Sequence, residues 1–304
     1  MGVYSQAYIL ECGDVPFGWG YNFENCWGHA MATLPTIGVA GCGIMGLPMA
    51  KNLHKSGYDV FGYDVRPKSA FGDFSDHMLE DASTLAATCP IIFSVVRDWT
   101  QTKELCFGNK GLFTGAAYPE IFVVSSTLSP KMVFRLRKSL PQETTLIDAP
   151  MSGAPFSAID GTLTFMLGGD KDVIARLMPA FKAMGSEINH LGTLGQGMMC
   201  KVLNNMLAAS SVVAVREILK AADALDFPRN RLLEVASSSS GATWFGDNLD
   251  KISWAKEGYS LVNTIGILEK DVTALIDTMA DFPELRINEF ARSVIAELRN
   301  LPEE

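Results

Sequence analysis

Thr36-Ile-Gly-Val-Ala-Gly-Cys-Gly-Ile-Met-Gly-Leu-Pro-Met-Ala-Lys-Asn-Leu53 is the stretch that decides the fold of this 304-residue chain. Ile37 to Ala40 is an apolar run of strand length, and it turns at Gly41-Cys42-Gly43 into a helix expected to start near Ile44. The spacing is G-x-G-x-x-G with a strand before it and a helix after, the setting that dinucleotide binding requires. Gly41 permits the tight turn, Gly43 lets a pyrophosphate approach the backbone, and Gly46 lets the helix lie close to the strand. Ile44 and Met45 complete the turn. Phosphates would rest there on unpaired N–H groups, where the helix dipole favours anions. Pro48 agrees, because proline is tolerated in a first helical turn.

A second strand pattern, Tyr58 to Tyr63, rises to Asp64, 18 residues after Gly46. A carboxylate at that position accepts from the ribose 2′-hydroxyl of NAD, and it would repel a 2′-phosphate. Asp64 therefore makes NAD the preferred cofactor. Arg66, two residues on, leaves NADP possible.

Working outward, 304 residues suffice for two domains with real cores. The 48% apolar and 19% charged content is that of a globular protein. A net charge of −9 without any basic block argues against nucleic acid and anionic membrane surfaces as partners. The six cysteines show no paired spacing and the four histidines share no ligand spacing. The cysteines read as reduced thiols in a cytoplasmic setting, with no metal site and no disulfide framework, and the histidines as surface or cap residues.

Residues 1–36 differ from the rest: they are rich in Gly and aromatics, with three acids and no Lys or Arg. Neither a transit peptide nor a signal peptide has that composition. Residues 1–30 read as an extension with no part in the chemistry, and Met31 as a natural start. From 37 the pattern alternates strands (37–40, 58–63, 91–96, 121–125, 145–148, 162–167) with helices, including 45–56 and 129–139. This predicts an α/β, Rossmann-type doubly wound parallel sheet with helices on both faces, over 37–194. Ligands then bind beyond the carboxyl ends of the strands. Three motifs fall there: Val95-Val-Arg-Asp98, Ser125-Ser-Thr-Leu-Ser-Pro130 and Asp148-Ala-Pro-Met-Ser-Gly-Ala154.

Residues 195–304 predict an all-helical domain for substrate and oligomer contacts. Met198 to Ala224 is one long helical pattern, uncharged from Val202 to Val215. Fourteen residues are too few to span a bilayer, so a helix buried on all sides between domains is expected. At its start, Lys201 and Asn205 stand four apart and share one face. A hydroxyl must lose its proton as hydride leaves its carbon, and a desolvated lysine with a depressed pKa can take that proton. Taken singly, each has a plainer alternative: Lys201 as a snorkelling residue, Asn205 as a buried amide and Ser152 as a turn residue. Likewise Lys270 alone is a charged helix residue, and Thr127 alone an N-cap for the helix near Pro130.

Four motifs in order then resemble the β-hydroxyacid dehydrogenase family, which includes 3-hydroxyisobutyrate dehydrogenase and tartronate semialdehyde reductase. They are Gly41-Cys-Gly-Ile-Met-Gly46; Asp148-Ala-Pro-Met-Ser-Gly-Ala154 with Gly161-Thr-Leu-Thr; Gly195-Gln-Gly…Lys201…Asn205; and Lys270-Asp271. The match runs from Ile37 to about Asp271. The resemblance implies a Rossmann domain followed by a helical domain that supports dimers or tetramers. It implies Lys201 as catalytic acid/base, with Asn205 holding the substrate. Ser152 and Gly153, with Ala154 beside them, would bind the substrate carboxylate. Lys270 would lie near cofactor and substrate, Thr127 beside the nicotinamide, and Val96 against the cofactor.

The chain departs from the family in two places. Ala154 stands where glycine is usual, and the chain ends at Glu304, sooner after Lys270 than most members. Trp244-Phe245 is similar to members acting on sugar acids. The expected activity is hydride transfer between a small 3-hydroxy acid and NAD, or NADP. The alternatives are an NADPH-dependent semialdehyde reductase and a non-catalytic dinucleotide-binding member. A 6-phosphogluconate dehydrogenase would need a much larger helical domain.

Overall fold

A computed structural model describes residues 34–303. The extension read at 1–30, with Cys12, Cys26 and His29, lies outside the described residues. The alternation of the sequence is realised as β1 (Ile37–Ala40), α1 (Gly46–Lys55), β2 (Val60–Tyr63), α2 (Ala82–Thr88) and β3 (Ile91–Ser94). It continues through α3 (Trp99–Phe107), β4 (Ile121–Val124), α4 (Pro130–Ser139) and β5 (Thr145–Asp148). These strands are parallel, in the spatial order β2-β1-β3-β4-β5. β1, β3 and β4 are buried at every residue, which is why their sequences are continuous apolar runs. A strand beyond β2 is reduced to one residue: Lys68–His77 is 3₁₀, and Met78 makes a single parallel bridge to Gly62. The chain moves outward from β1 to β2, then returns to β3 on the other side. That reversal opens a crevice beyond the carboxyl ends of β1 and β3.

The expectation of an all-parallel sheet fails after β5. β6 (Met151–Ser152) follows at once, α5 (Pro155–Asp160) turns the chain, and β7 (Leu163–Gly168) runs antiparallel to β5 and β6. α6 (Lys171–Met184) then leads to β8 (Gly185–Gly192), which pairs parallel with β7. Both extra strands escape the hydrophobic pattern for physical reasons. β6 is two residues long, and β8 is a mostly exposed strand carrying Ser186, Glu187, Asn189 and His190.

Two cores flank the sheet. One packs Met49 and Leu53 of α1 and Leu177 and Phe181 of α6 against Val39, Phe93 and Phe165. The other packs Leu85, Leu105, Val133 and Leu136 of α2, α3 and α4 against Ile92, Phe122 and Val124. Beyond the sheet come α7 (Gln196–Ala224), α8 (Arg229–Ser237), α9 (Trp244–Asp247), α10 (Thr264–Thr278) and α11 (Ile287–Arg299). A third core joins Val202, Met206 and Val212 of α7 to Val272 and Leu275 of α10 and to Val294 and Leu298 of α11. Phe245 belongs to it, stacked on Trp254 at 5.6 Å, while Trp244 is exposed.

α7 is not buried on all sides. Leu203, Leu207, Ala214, Ile218 and Leu225 recur every three or four residues, or at twice that spacing, along an exposed stripe. The helix is apolar on more of its circumference than its neighbours cover. Among the described residues it is the one helix long and apolar enough, by length and composition, to cross a membrane. Its inner face nonetheless carries Lys201, Asn205 and Arg216. The Arg216 guanidinium donates to the carbonyls of Glu257, at 2.6 Å, and Pro302.

Phe181 meets Phe93 and Phe165 edge-on, at centroid distances of 5.6 and 5.2 Å, and is fully buried. Phe181→Ala is expected to cost about 3–5 kcal/mol, read as a drop in the denaturant midpoint of unfolding.

Candidate functional site

The glycine turn is built as its spacing requires. Gly41 has φ +93°, and a Cβ there would lie 2.6 Å from the Val95 carbonyl oxygen and 3.0 Å from Val96 Cγ1. That contact places Val96 directly against the turn. A Cβ at Gly46 would stand 2.0 Å from the Gly41 oxygen, so only glycine lets α1 begin this close. Gly43 is different: nothing lies within 4 Å of where its Cβ would be. The helix starts at Gly46 rather than near Ile44, Met45 at its N-cap offers no side-chain cap, and Ile44 is exposed. An open glycine before an uncapped helix N-terminus is a cradle that fits a diphosphate. Among the described residues, the Ser94, Ser125 and Ser126 hydroxyls, near the carboxyl ends of β3 and β4, are buried without hydrogen-bond partners.

Asp64 follows β2 directly, where a ribose-binding carboxylate belongs. It is engaged by Arg66: Oδ1 accepts from Arg66 N at 3.1 Å and from Nε at 2.9 Å. Arg66 also donates to the Cys42 carbonyl at 2.7 Å and lies over the Phe71 ring at 4.8 Å. The turn, the acid and the arginine therefore form one connected group.

The second group surrounds the start of α7. Lys201 is 7% exposed and makes no hydrogen bond to another described residue. Burial pulls its pKa from the ordinary 10.5 to about 8, helped by the Lys270 charge and opposed by that of Asp271. Asn205, one turn on and equally buried, donates to Asp271 Oδ2 at 2.5 Å and accepts from Asn204 at 3.2 Å. Asp271 Oδ1 lies 2.6 Å from Lys270 Nζ, and Lys270 donates to the Thr127 carbonyl at 3.1 Å. The chain Asn205–Asp271–Lys270–Thr127 thus ties α7 and α10 to the loop after β4. Thr127 does not cap α4; Ser129 does, accepting from Met132 N and donating to Asp277.

Ser152, Gly153 and Ala154 span the end of β6 and the start of α5. Gly153 is exposed at φ +138°, a conformation that favours glycine. Ala154 has φ −84°, which any residue adopts, and its methyl is buried, so the backbone does not demand the family's glycine here. Among the described residues, no hydrogen bond joins these three to Lys201 or Asn205. Arg97, beside Val96, donates to the Leu261 carbonyl across a cavity of about 370 Å³ that Lys270 also lines.

Sequence reasoning left three residues of this region without a role. Asp271 stands in the Lys270-Asp271 motif, where residue order pairs it with nothing. Arg97 lay in a strand-end motif. Asp148, fully buried, accepts from Gly195 N and Met198 N, each at 2.7 Å. The signal for all three was position: an acid at the end of a strand, a base just beyond one, or an acid beside Lys270.

Comparison with known proteins agrees with this geometry. The family described as the NAD-binding domain of 6-phosphogluconate dehydrogenase matches residues 36–216. That described as NAD-binding of NADP-dependent 3-hydroxyisobutyrate dehydrogenase matches residues 195–300. Human mitochondrial 3-hydroxyisobutyrate dehydrogenase is 29% identical over 80% of this chain and 73% of its own. Escherichia coli 2-hydroxy-3-oxopropionate reductase is 34% identical over 60% of this chain and 63% of its own. The structure of Mycobacterium tuberculosis 3-hydroxyisobutyrate dehydrogenase with L-serine superposes with a TM-score of 0.72 at 26% identity, covering 88% of this chain and 94% of that one. With a glycine turn open to a diphosphate, a buried lysine of depressed pKa and two family descriptions that together span 36–300, the chain belongs to the β-hydroxyacid dehydrogenase family of NAD(P)-dependent oxidoreductases.

Proposed function

We propose that the protein moves a hydride between a small 3-hydroxy acid, 3-hydroxyisobutyrate-like in size, and NAD(P), with Lys201 as acid/base. The single observation carrying this is a buried lysine, free of hydrogen bonds to described residues, with its pKa brought down to about 8. In this reading residues 37–194 hold the cofactor, and residues 195–304 supply the lysine and the oligomer contacts. The cytoplasm is the proposed location.

The cofactor's nicotinamide supplies the hydride acceptor, or the donor in reverse. Gly41, Gly43, Ile44, Met45 and Gly46 take the diphosphate, Asp64 the ribose, and Val96, Thr127 and Lys270 the nicotinamide end. Asp64 supports NAD as the preferred form. Arg66, already against Asp64, is placed to turn to a 2′-phosphate, which supports NADP as the second. Ser152, the Gly153 backbone and neighbouring N–H groups fix the substrate carboxylate, with Ala154 closing the pocket. Asn205 holds the hydroxyl end with the donor it has left beyond Asp271. Lys201, neutral, takes the hydroxyl proton during oxidation and, protonated, returns it during reduction. The same residues serve a semialdehyde reductase running in reverse.

The test is the near-ultraviolet absorbance of reduced nicotinamide, followed with NAD or NADP and a panel of small 3-hydroxy acids. Turnover with one pair names substrate and cofactor together; cofactor binding without turnover across the panel overturns the reading. Lys201→Ala is expected to lower kcat by about 10²- to 10⁴-fold while cofactor binding by calorimetry persists.

Oxidation is expected to rise with pH through an apparent pKa of about 8, because the base must be neutral. Reduction should fall over the same range, since it needs the ammonium. The Asp271 charge holds that pKa up, so Asp271→Asn should move both limbs to lower pH. An unmoved pH profile would remove Asp271 from this role.

We also propose that a second copy of the chain covers the exposed stripe of α7 in a homo-oligomer. Leu207→Glu, at a well-exposed position of the stripe, is expected to shift the light-scattering mass from a multiple of the chain mass to that of one chain.

A further inference from the structure

A 29-residue helix needs its first turn fixed, because the first N–H groups have no partner within the helix. Gly195 stands at the N-cap of α7 with φ +92° and has no side chain to offer. The usual solution, a Ser, Thr, Asp or Asn at that position, is therefore missing. The donors are satisfied from elsewhere. Gln196 N reaches the Thr193 carbonyl at 3.1 Å. Gly195 N and Met198 N each meet one oxygen of Asp148 at 2.7 Å, and the Gly197 N–H also points to this carboxylate.

We infer that Asp148 is a positioning residue for Lys201: its carboxylate, at the end of β5, caps α7 from outside the helix and sets where the lysine stands against the sheet. Met198, held by Asp148, is one turn before Lys201 on the same helix face. Two glycines make room for the arrangement. A Cβ at Gly168 would lie 2.4 Å from Asp148 Oδ1, and one at Gly197 would lie 2.9 Å from Oδ2 and 2.3 Å from the Met166 carbonyl. Burial raises the Asp148 pKa to about 6 even though the surrounding N–H groups pull it down. The carboxylate is thus kept charged at neutral pH by the helix end it holds. Asp148 lies four residues before Ser152, so one segment would position both the proton-transfer group and the substrate carboxylate. This inference rests on the reading of Lys201 given above.

The test is Asp148→Asn in the full-length chain, which keeps the shape and one acceptor but turns an NH₂ toward a backbone N–H. Hydrogen exchange is expected to quicken in the peptide spanning Gly195–Lys201 and to stay unchanged in the sheet. Cofactor affinity should hold while kcat falls by about 10²-fold, the scale of a reacting group displaced by an ångström. Acetylation of Lys201 by a small acylating reagent, mapped by mass spectrometry against pH, should change its apparent pKa. A wild-type kcat, an unchanged Lys201 titration, or faster exchange spread over the whole chain would each overturn the inference.

If Asp148→Asn does not fold, the wild-type protein still decides. The Met198 amide should exchange far more slowly than first-turn amides of α8, whose N-cap Pro228 gives no side-chain cap. Equal rates overturn the anchor. Exchange and acetylation do not require turnover, so absent hydroxy-acid oxidation would fail the reading of Lys201 without deciding the anchor.

Discussion

A buried ammonium group is the most demanding constraint in this molecule. Water solvates a lysine head far better than a protein interior does, so Lys201 is held at a cost that only its surroundings offset. They do so incompletely. Asp271 draws the charged form in, Lys270 and burial push it out, and the balance leaves the group near the point where it gains and loses a proton around neutral pH. A fully satisfied ion pair would have fixed it in one state. The acid/base role proposed for Lys201 needs both.

That constraint explains why α7 is the central element. Met198 belongs to the core under α2, α3 and α4, while Val202 and Met206 begin the core shared with α10 and α11. In the sequence of α7, Lys201 falls between these two sets, at the seam where the sheet and the helical region meet. Packed between them, one side chain is desolvated by protein on both sides. Asp148 at the helix start and Arg216, donating to the Glu257 and Pro302 carbonyls further along it, hold the helix to the chain on either side of that seam.

Much of this was legible in residue order. The G-x-G-x-x-G turn works through backbone geometry, and Gly41, Gly43 and Gly46 each behave as their spacing required. Buried parallel strands announce themselves as apolar runs, so β1 to β5 were found close to their true limits. β6 and β8 were not, because a two-residue strand has no period and a polar edge strand has no apolar face. The full burial expected of α7 failed for a related reason: apolar content tells what a helix prefers, but neighbours decide what is covered.

The sequence by itself determined the dinucleotide-binding type of the first half of the fold, the glycine turn whose shape fits a diphosphate, and the family to which the chain belongs. These follow from local rules of sterics and periodicity acting within a few tens of residues. Only the tertiary structure decided what surrounds Lys201. The groups that cap its helix and tune its charge, Asp148, Asp271 and Lys270, lie 53, 70 and 69 residues away in the chain. A pKa is set by distance and burial in space, and residue order encodes neither until the chain has folded.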